Sequence, residues 1–171
     1  VAAQDKNSIY ETDIMTPYLE KIEALSGEKY DPSNPNDPKV QSFRIIAEHA
    51  RAATFILADG VRPGNKDQGY ILRRLIRRMI RHGIELGIEQ DFAKELAAKV
   101  IEKMGDAYPH LKGKETFIID EIDAEEIKFR RTLERGLKEM HKMIDSKEDL
   151  DGKKAFHIYE TYGFPLELTL E

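Results

Sequence analysis

Five arginines in one short stretch are the residues best placed to do chemistry. Arg73, Arg74, Arg77, Arg78 and Arg81 lie within Gln68-Gly-Tyr-Ile-Leu-Arg-Arg-Leu-Ile-Arg-Arg-Met-Ile-Arg-His82. On a helix at ~100° per residue, with Arg73 as origin, Arg77 falls near ~40°, Arg81 near ~80°, Arg74 near ~100° and Arg78 near ~140°. All five share an arc of ~140°, which Tyr70 enters as well. Leu72, Leu75, Ile76, Met79 and Ile80 take much of the other side. The spacing therefore describes a helix anchored by one face and presenting guanidinium on the other. Arginine's planar fork suits phosphates and guanine edges better than a lysine point charge. The face also reads as lacking acidic residues at i±4, the usual self-neutralising pattern. Tyr70 adds a ring that can stack on a base or ribose. A duplex or a folded RNA end is the leading ligand. The competing reading is a charged face paired internally, with the glutamate-rich segment after Lys114 supplying the partners.

Charge distribution agrees with a local polyanion site. The net charge is −5. From Arg62 to His82 the chain holds seven basic residues, including Arg62 and Lys66, opposed only by Asp67; the remainder has 20 basic and 31 acidic residues. A basic island in an acidic protein points to one binding face rather than general stickiness. Arg62 and Asn65, in the turn before the arginine helix, join the candidate set. Asn65 reads first as that helix's cap and second as an RNA contact.

Other chemistries are weaker. With no cysteine there is no disulfide framework and no thiolate zinc site. His110, His141 and His157 lack His-x-x-x-His spacing, so no metal site is expected. Asp120, Glu121, Asp123, Glu125 and Glu126 read as a solvated acidic helix face before they read as a magnesium site. His49 has no acid or nucleophile arranged near it in sequence and reads as a packed or capping residue. His82 reads as a cation at a helix C-terminus. Gly60-Val-Arg-Pro-Gly64 lacks the Gly-Lys-Ser/Thr of a phosphate loop. No catalytic residue is assigned. No apolar run approaches the ~20 residues that span a bilayer, and no leader pattern opens the chain, so a cytoplasmic setting is expected.

The elements that position these residues read as almost entirely helical. Ser8-Ile-Tyr-Glu11 has the form of a capping box, predicting a helix to about Leu25 with Gly27 as its stop. Tyr30 to Pro38, with three prolines and two asparagines, is a loop. Asp37 and Pro38 then open a helix whose buried face carries Val40, Phe43, Ala47, Ala50, Thr54 and Leu57, ending before Gly60. After the loop 61–67 the arginine helix runs from about Gln68 to Arg81 or slightly beyond. Asp91 caps a helix to about Met104, and Tyr108-Pro109-His110 breaks the chain. A long amphipathic helix follows from Lys114 to about Asp145, with Phe117, Ile122, Phe129, Leu133, Leu137, Met140 and Ile144 inward. After a polar turn, a last helix carries Ala155, Phe156, Ile158 and Tyr159 into a corner at Gly163-Phe164-Pro165. The fold class is an all-α multi-helix bundle, a single domain over 1–171.

Long runs of this sequence resemble alanyl-tRNA synthetases. They are Arg44-Ile-Ile-Ala-Glu-His-Ala-Arg51, Phe55-Ile-Leu-Ala-Asp-Gly-Val-Arg-Pro-Gly-Asn65 and Gly69-Tyr-Ile-Leu-Arg-Arg-Leu-Ile-Arg-Arg78. Two more are Thr132-Leu-Glu-Arg-Gly-Leu-Lys138 and Ala155-Phe-His-Ile-Tyr-Glu-Thr-Tyr-Gly-Phe-Pro165. The resemblance implies the helical middle part of such an enzyme, which contacts the tRNA-Ala acceptor stem and its G·U pair. It implies a class II catalytic core N-terminal to this segment and a zinc-binding editing domain C-terminal to it, both absent from the chain. The parent would attach alanine through an alanyl-adenylate with ATP and magnesium; no cofactor is expected in this segment, and no membrane or DNA partner. Arg51 matches an arginine of the family's recognition helix. Val40 stands where some bacterial members carry an asparagine implicated in reading the wobble pair, and Gln68 replaces the arginine usual before Gly69-Tyr70. A family recognition aspartate is expected beyond Glu171. The alternatives are a helical nucleic-acid-binding module of another kind, or a structural bundle whose arginines pair internally.

Overall fold

Local punctuation in the sequence sets the helix boundaries of the computed structural model, which describes residues 1–145, 151–154 and 156. All regular elements among them are helical. After two short 3-10 turns come α1 (Thr16–Ser26), α2 (Pro38–Ala58), α3 (Asp67–Glu85), α4 (Ala93–Met104), the short α5 (Pro109–Gly113) and α6 (Glu115–Asp145). The helix expected around Ala155 and Ile158 and the Gly163-Phe164-Pro165 corner lie outside the described residues. Phe156 is described and is exposed. The chain divides into two compact units, Val1–Glu126 and Ile127–Glu171, where the sequence reads as one domain.

In the first unit, α2 is the central helix and packs against α1, α3, α4 and α5. Its start follows the sequence closely: the Asp37 side chain accepts the Lys39 amide at 2.8 Å, and Pro38 holds the first helical position. Val40, Phe43, Ala47, Ala50, Thr54 and Leu57 are all buried, as their 3.6-residue spacing requires. The Thr54 hydroxyl bonds back to the Ala50 carbonyl at 2.8 Å, so this buried polar group is satisfied. Arg44 ties two loops onto α2. Its guanidinium lies 4.6 Å from the Tyr10 ring centroid and 5.8 Å from that of Tyr30, and its Nε donates to the Tyr30 hydroxyl at 3.0 Å. Tyr10 in turn donates to Glu48, and burial together with that bond pushes its phenol up to about 12.

Three boundaries differ from the sequence reading. The Ser8 box does not start a long helix: Ser8 accepts the Tyr10 amide at 3.3 Å over a 3-10 turn, Ile9–Glu11, and Thr12 is extended. Glu11 reaches the Asn7 amide rather than that of Ser8, and Pro17 restarts the helix at Thr16. The turn breaks because Pro17 has no amide to continue a ladder begun at Ser8. Gly27, at φ 73°, closes α1 as expected. The second difference is α3, which continues through the buried Gly83 to Glu85 and stops before Gly87, whose φ is 84°. The third is α4, whose cap position is Phe92 rather than Asp91.

In α6, Ile118, Ile122, Phe129 and Leu133 are buried, whereas Leu137, expected inward, is 47% exposed. A single exposed leucine is tolerated, since more than half of a folded surface is apolar in any case.

Candidate nucleic-acid interface

The arginines of α3 separate into two groups. Leu72, Ile76, Met79, Ile80 and Gly83 are buried, and this apolar face fixes the helix's rotation. The start of α3 is set by backbone contact rather than by a side-chain cap: the Gly64 amide donates to the Gly69 carbonyl at 2.9 Å. A Cβ on Gly69 would stand 2.7 Å from the Arg62 carbonyl oxygen, so only glycine lets the 62–64 turn lie so close. Tyr70 follows directly and is 48% exposed.

Arg73 and Arg77, at one edge of the arc, are turned inward. Arg77 Nε donates to Glu125 Oε1 at 2.6 Å, and Arg73 Nε lies 3.5 Å from the same oxygen. Glu125 is 5% exposed, and the two arginine side chains only 17% and 21%. Arg73 also donates to Asn65 Oδ1, so Asn65 braces an arginine instead of capping the helix. Arg81 pairs with Glu85 through Nε at 2.9 Å. That acidic residue at i+4 escapes notice when the helix is taken to end near Arg81. Arg62 lies 3.4 Å from Glu121 and 5.2 Å from the Phe117 ring centroid, its side chain 70% exposed.

Arg74 and Arg78 behave differently. Both are exposed, and neither is ion-paired among the described residues. From their place at the arc's edge, Arg74 or Arg78 would be expected to be pinned by glutamates of the long helix; instead Glu125 takes Arg73 and Arg77. With Tyr70 they form an i, i+4, i+8 strip along one side of the helix. The strip carries two uncompensated guanidinium groups and an aromatic ring. Such a set can bind phosphate and stack on a planar group.

Arg51 does not belong to this strip. It lines a shallow cleft of about 230 Å³ with Ala52, Phe55, Met104 and Tyr108. Phe55 and Tyr108 meet edge to face at 5.1 Å, and His110 lies 6.2 Å from both rings. The buried Tyr18 phenol is raised by desolvation and pulled back by the Arg51 charge.

Both central histidines are driven toward the neutral form. Burial lowers His49 first, and the Arg78 charge adds to it. Burial also lowers His82, against the opposing pull of Glu85, whose Oε2 lies 2.7 Å from Nδ1. His82 lies in the last turn of α3, and its Nδ1 also lies 3.0 Å from Ser42 Oγ, joining α3 to α2.

Of the acidic group on α6, Asp120 is exposed as a solvated face requires, but the other four are engaged. Glu125 holds the arginine pair, Glu126 is fully buried and accepts the Phe92 and Ala93 amides, Glu121 meets Arg62, and Asp123 meets Lys94 at 3.1 Å. The signal was present in the register. Glu125 follows Ile118 by seven residues and precedes Phe129 by four, while Glu126 follows Ile122 by four. Both therefore stand on the apolar stripe. Among the described residues no three His, Asp or Glu side chains converge as a metal's ligand set, and no helix is long and apolar enough to cross a membrane.

Comparison with known proteins adds a family. The model of the class II (A) tRNA synthetases matches residues 2–171. The chain is 40% identical over 173 residues to the alanine–tRNA ligase of Dehalococcoides mccartyi, covering all of this chain and 20% of that protein. It is 43% identical over 164 residues to that of Thermotoga maritima, covering 96% of this chain and 19% of the relative. With that of Prochlorococcus marinus it shares 47% over 169 residues, 98% of this chain and 19% of the relative. The chain thus spans about a fifth of the length of the curated relatives it matches.

Proposed function

Because this chain belongs to the class II (A) tRNA synthetases, we propose that it is the helical part of an alanine–tRNA ligase that grips and orients the acceptor stem of tRNA-Ala. The observation that carries this reading is the strip of Tyr70, Arg74 and Arg78, exposed on a helix whose neighbouring arginines are already paired. Phosphate contacts from Arg74 and Arg78 fix the register of the RNA without reading its sequence. Arg62, largely exposed at the start of the same hairpin, extends the grip. Arg51 sits apart, in the cleft with Tyr108, and is the residue we assign to discrimination between stems. The first turns of α6 brace α3 and the turn before it, Glu125 through Arg77 and Glu121 through Arg62.

The parent enzyme would attach alanine through an alanyl-adenylate, using ATP and magnesium in a catalytic core outside this chain. An editing domain outside it would hold zinc. The residues of this segment do not fit those groups. It has no cysteine, and the carboxylates of α6 that come closest to a cation site are already taken by guanidinium, ammonium or backbone amides. No bond-making step is therefore assigned to this chain, which supplies grip and orientation. The setting proposed is the cytoplasm, and the partners are tRNA-Ala and the neighbouring domains of the same polypeptide.

The test is filter binding of tRNA-Ala, a second tRNA and duplex DNA at several salt concentrations. A tRNA-Ala preference that weakens steeply with salt is expected, with Arg74→Ala plus Arg78→Ala flattening the salt dependence. Equal binding of duplex DNA points to a general nucleic-acid module. Salt-independent binding insensitive to both replacements points to a purely structural bundle.

A further inference from the structure

We propose that Glu125 limits the polyanion grip of α3 by withholding Arg73 and Arg77, so that the outward charge of the helix rests chiefly on Arg74 and Arg78. The inference builds on the reading of α3 as an RNA-facing helix.

The geometry is uneven in a telling way. One carboxylate oxygen, Glu125 Oε1, serves two guanidinium groups, at 2.6 Å from Arg77 and 3.5 Å from Arg73. The carboxylate is 5% exposed and stands on the apolar stripe of α6, between Ile122 and Phe129. Arg73 has a second tether, Asn65. Four arginines lie within two turns of one helix, yet only two are directed to solvent without an ionic partner among the described residues.

A phosphate cannot cheaply recruit the inward pair. Taking Arg77 outward strips a buried carboxylate of its compensating charge, and a buried charge left alone is strongly unfavourable. RNA therefore meets a helix whose phosphate grip is capped. Phosphate contacts strengthen binding to every RNA alike. Holding two of them back lowers the affinity for every RNA by a similar factor and so weakens retention of polyanions in general, while leaving the contacts that discriminate between stems untouched. Glu125 is in this sense a positioning residue that acts through Arg73 and Arg77 and touches no RNA.

The experiment replaces Glu125 by glutamine in the intact protein. Affinity is measured across a salt series for three RNAs: an acceptor-stem minihelix with a G·U pair, its G·C counterpart and an unrelated RNA duplex. Glu125→Gln keeps the shape but removes the charge, so the hold on Arg77 and Arg73 weakens, although Asn65 still tethers Arg73. All three affinities should rise by a similar factor, the preference for the G·U stem should be kept, and log K against log salt should steepen by about 0.9 for each phosphate gained, up to two in all. If Glu125 only aligned α6 with α3, the same change would loosen the grip and flatten the slope; a flatter or unchanged slope overturns the proposal. A second measurement needs no variant. Phenylglyoxal modification of the wild-type protein, read by mass spectrometry, should mark Arg74 and Arg78 and spare Arg73 and Arg77; equal rates at the four sites also overturn it. Failure of the underlying RNA reading looks different: wild-type binding would show no salt slope, while the protection pattern of the four arginines would stand.

Discussion

Glu126, fully buried on α6, accepts the amides of Phe92 at 3.0 Å and Ala93 at 2.7 Å, and so caps α4 from a residue more than thirty positions away. A carboxylate at a helix N-terminus satisfies orphan donors and lies favourably on the helix dipole. Glu126→Ala leaves two buried amides without their acceptor. The expected loss is about 2–3 kcal/mol of unfolding free energy, read from urea midpoints. Glu126→Gln, which keeps one acceptor oxygen, should lose less. Equal stability of all three proteins would mean that solvent replaces this cap at no cost.

Gly83 faces the Phe92 ring so closely that a Cβ would stand 2.3 Å from the ring's Cζ. Alanine inside a helix ordinarily gains about 1 kcal/mol over glycine. At this position the sign reverses: Gly83→Ala should destabilise by about 1–3 kcal/mol, because the ring must shift within a packed core. Gly113→Ala, with nothing within 4 Å of the added atom, is the control and should be neutral or slightly stabilising. Thermal unfolding of the two variants side by side decides the matter.

These two sites mark where sequence reading succeeds and stops. Asp37-Pro38, Gly27 and the inward stripe of α2 were legible because each rests on signals a few residues apart: a cap, a left-handed glycine, a helical repeat. The Glu126 cap joins residues far apart in the chain, and no local pattern near Asp91 announces it. The arginine arc was legible as a face, but not which of its edges α6 would cover. Only packing decides that Arg77 goes inward and Arg78 outward. The positions of Glu125 and Glu126 on an apolar stripe were readable, yet five acidic residues in a row of seven look like a solvated surface when taken by type alone.

Stability should fall in mild acid through His49 and His82. Burial holds both below the ordinary histidine value of 6.5 in the folded protein. In the unfolded chain each takes a proton near 6.5, so the unfolded state binds more protons once the pH drops below that value. The stabilising contribution is whole above about 6.5 and is lost progressively as pH falls toward and through the depressed folded values. Urea midpoints at pH 8, 7, 6 and 5 should therefore decline between 7 and 5. His49→Gln with His82→Gln should flatten that decline, and a decline of undiminished steepness in the double variant would assign it to other groups.

The last expectation separates the two kinds of arginine by stability alone, with no RNA present. Arg77 is bonded to a carboxylate that is 5% exposed. Removing one partner of a buried pair leaves the other charged, desolvated and alone, at a cost of about 3–5 kcal/mol when both are fully buried. Arg77 retains 21% exposure of its side chain, and Arg73 still approaches the same oxygen, so water and the second guanidinium soften the loss. Arg77→Ala should therefore cost about 2–3 kcal/mol, and pairing it with Glu125→Gln should recover part of that, because the orphaned charge is gone. Arg74→Ala and Arg78→Ala remove exposed side chains without ionic partners and should stay within about 0.5 kcal/mol of wild type. Arg81→Ala should stay close to that range too, since its partner Glu85 lies at the helix surface and an i, i+4 pair there contributes only about 0.3–0.5 kcal/mol. The measurement is equilibrium unfolding of the five variants in one buffer. Similar losses at Arg74 and Arg77 would show that the two edges of α3 are not distinct and would remove the structural basis for dividing its arginines between brace and grip.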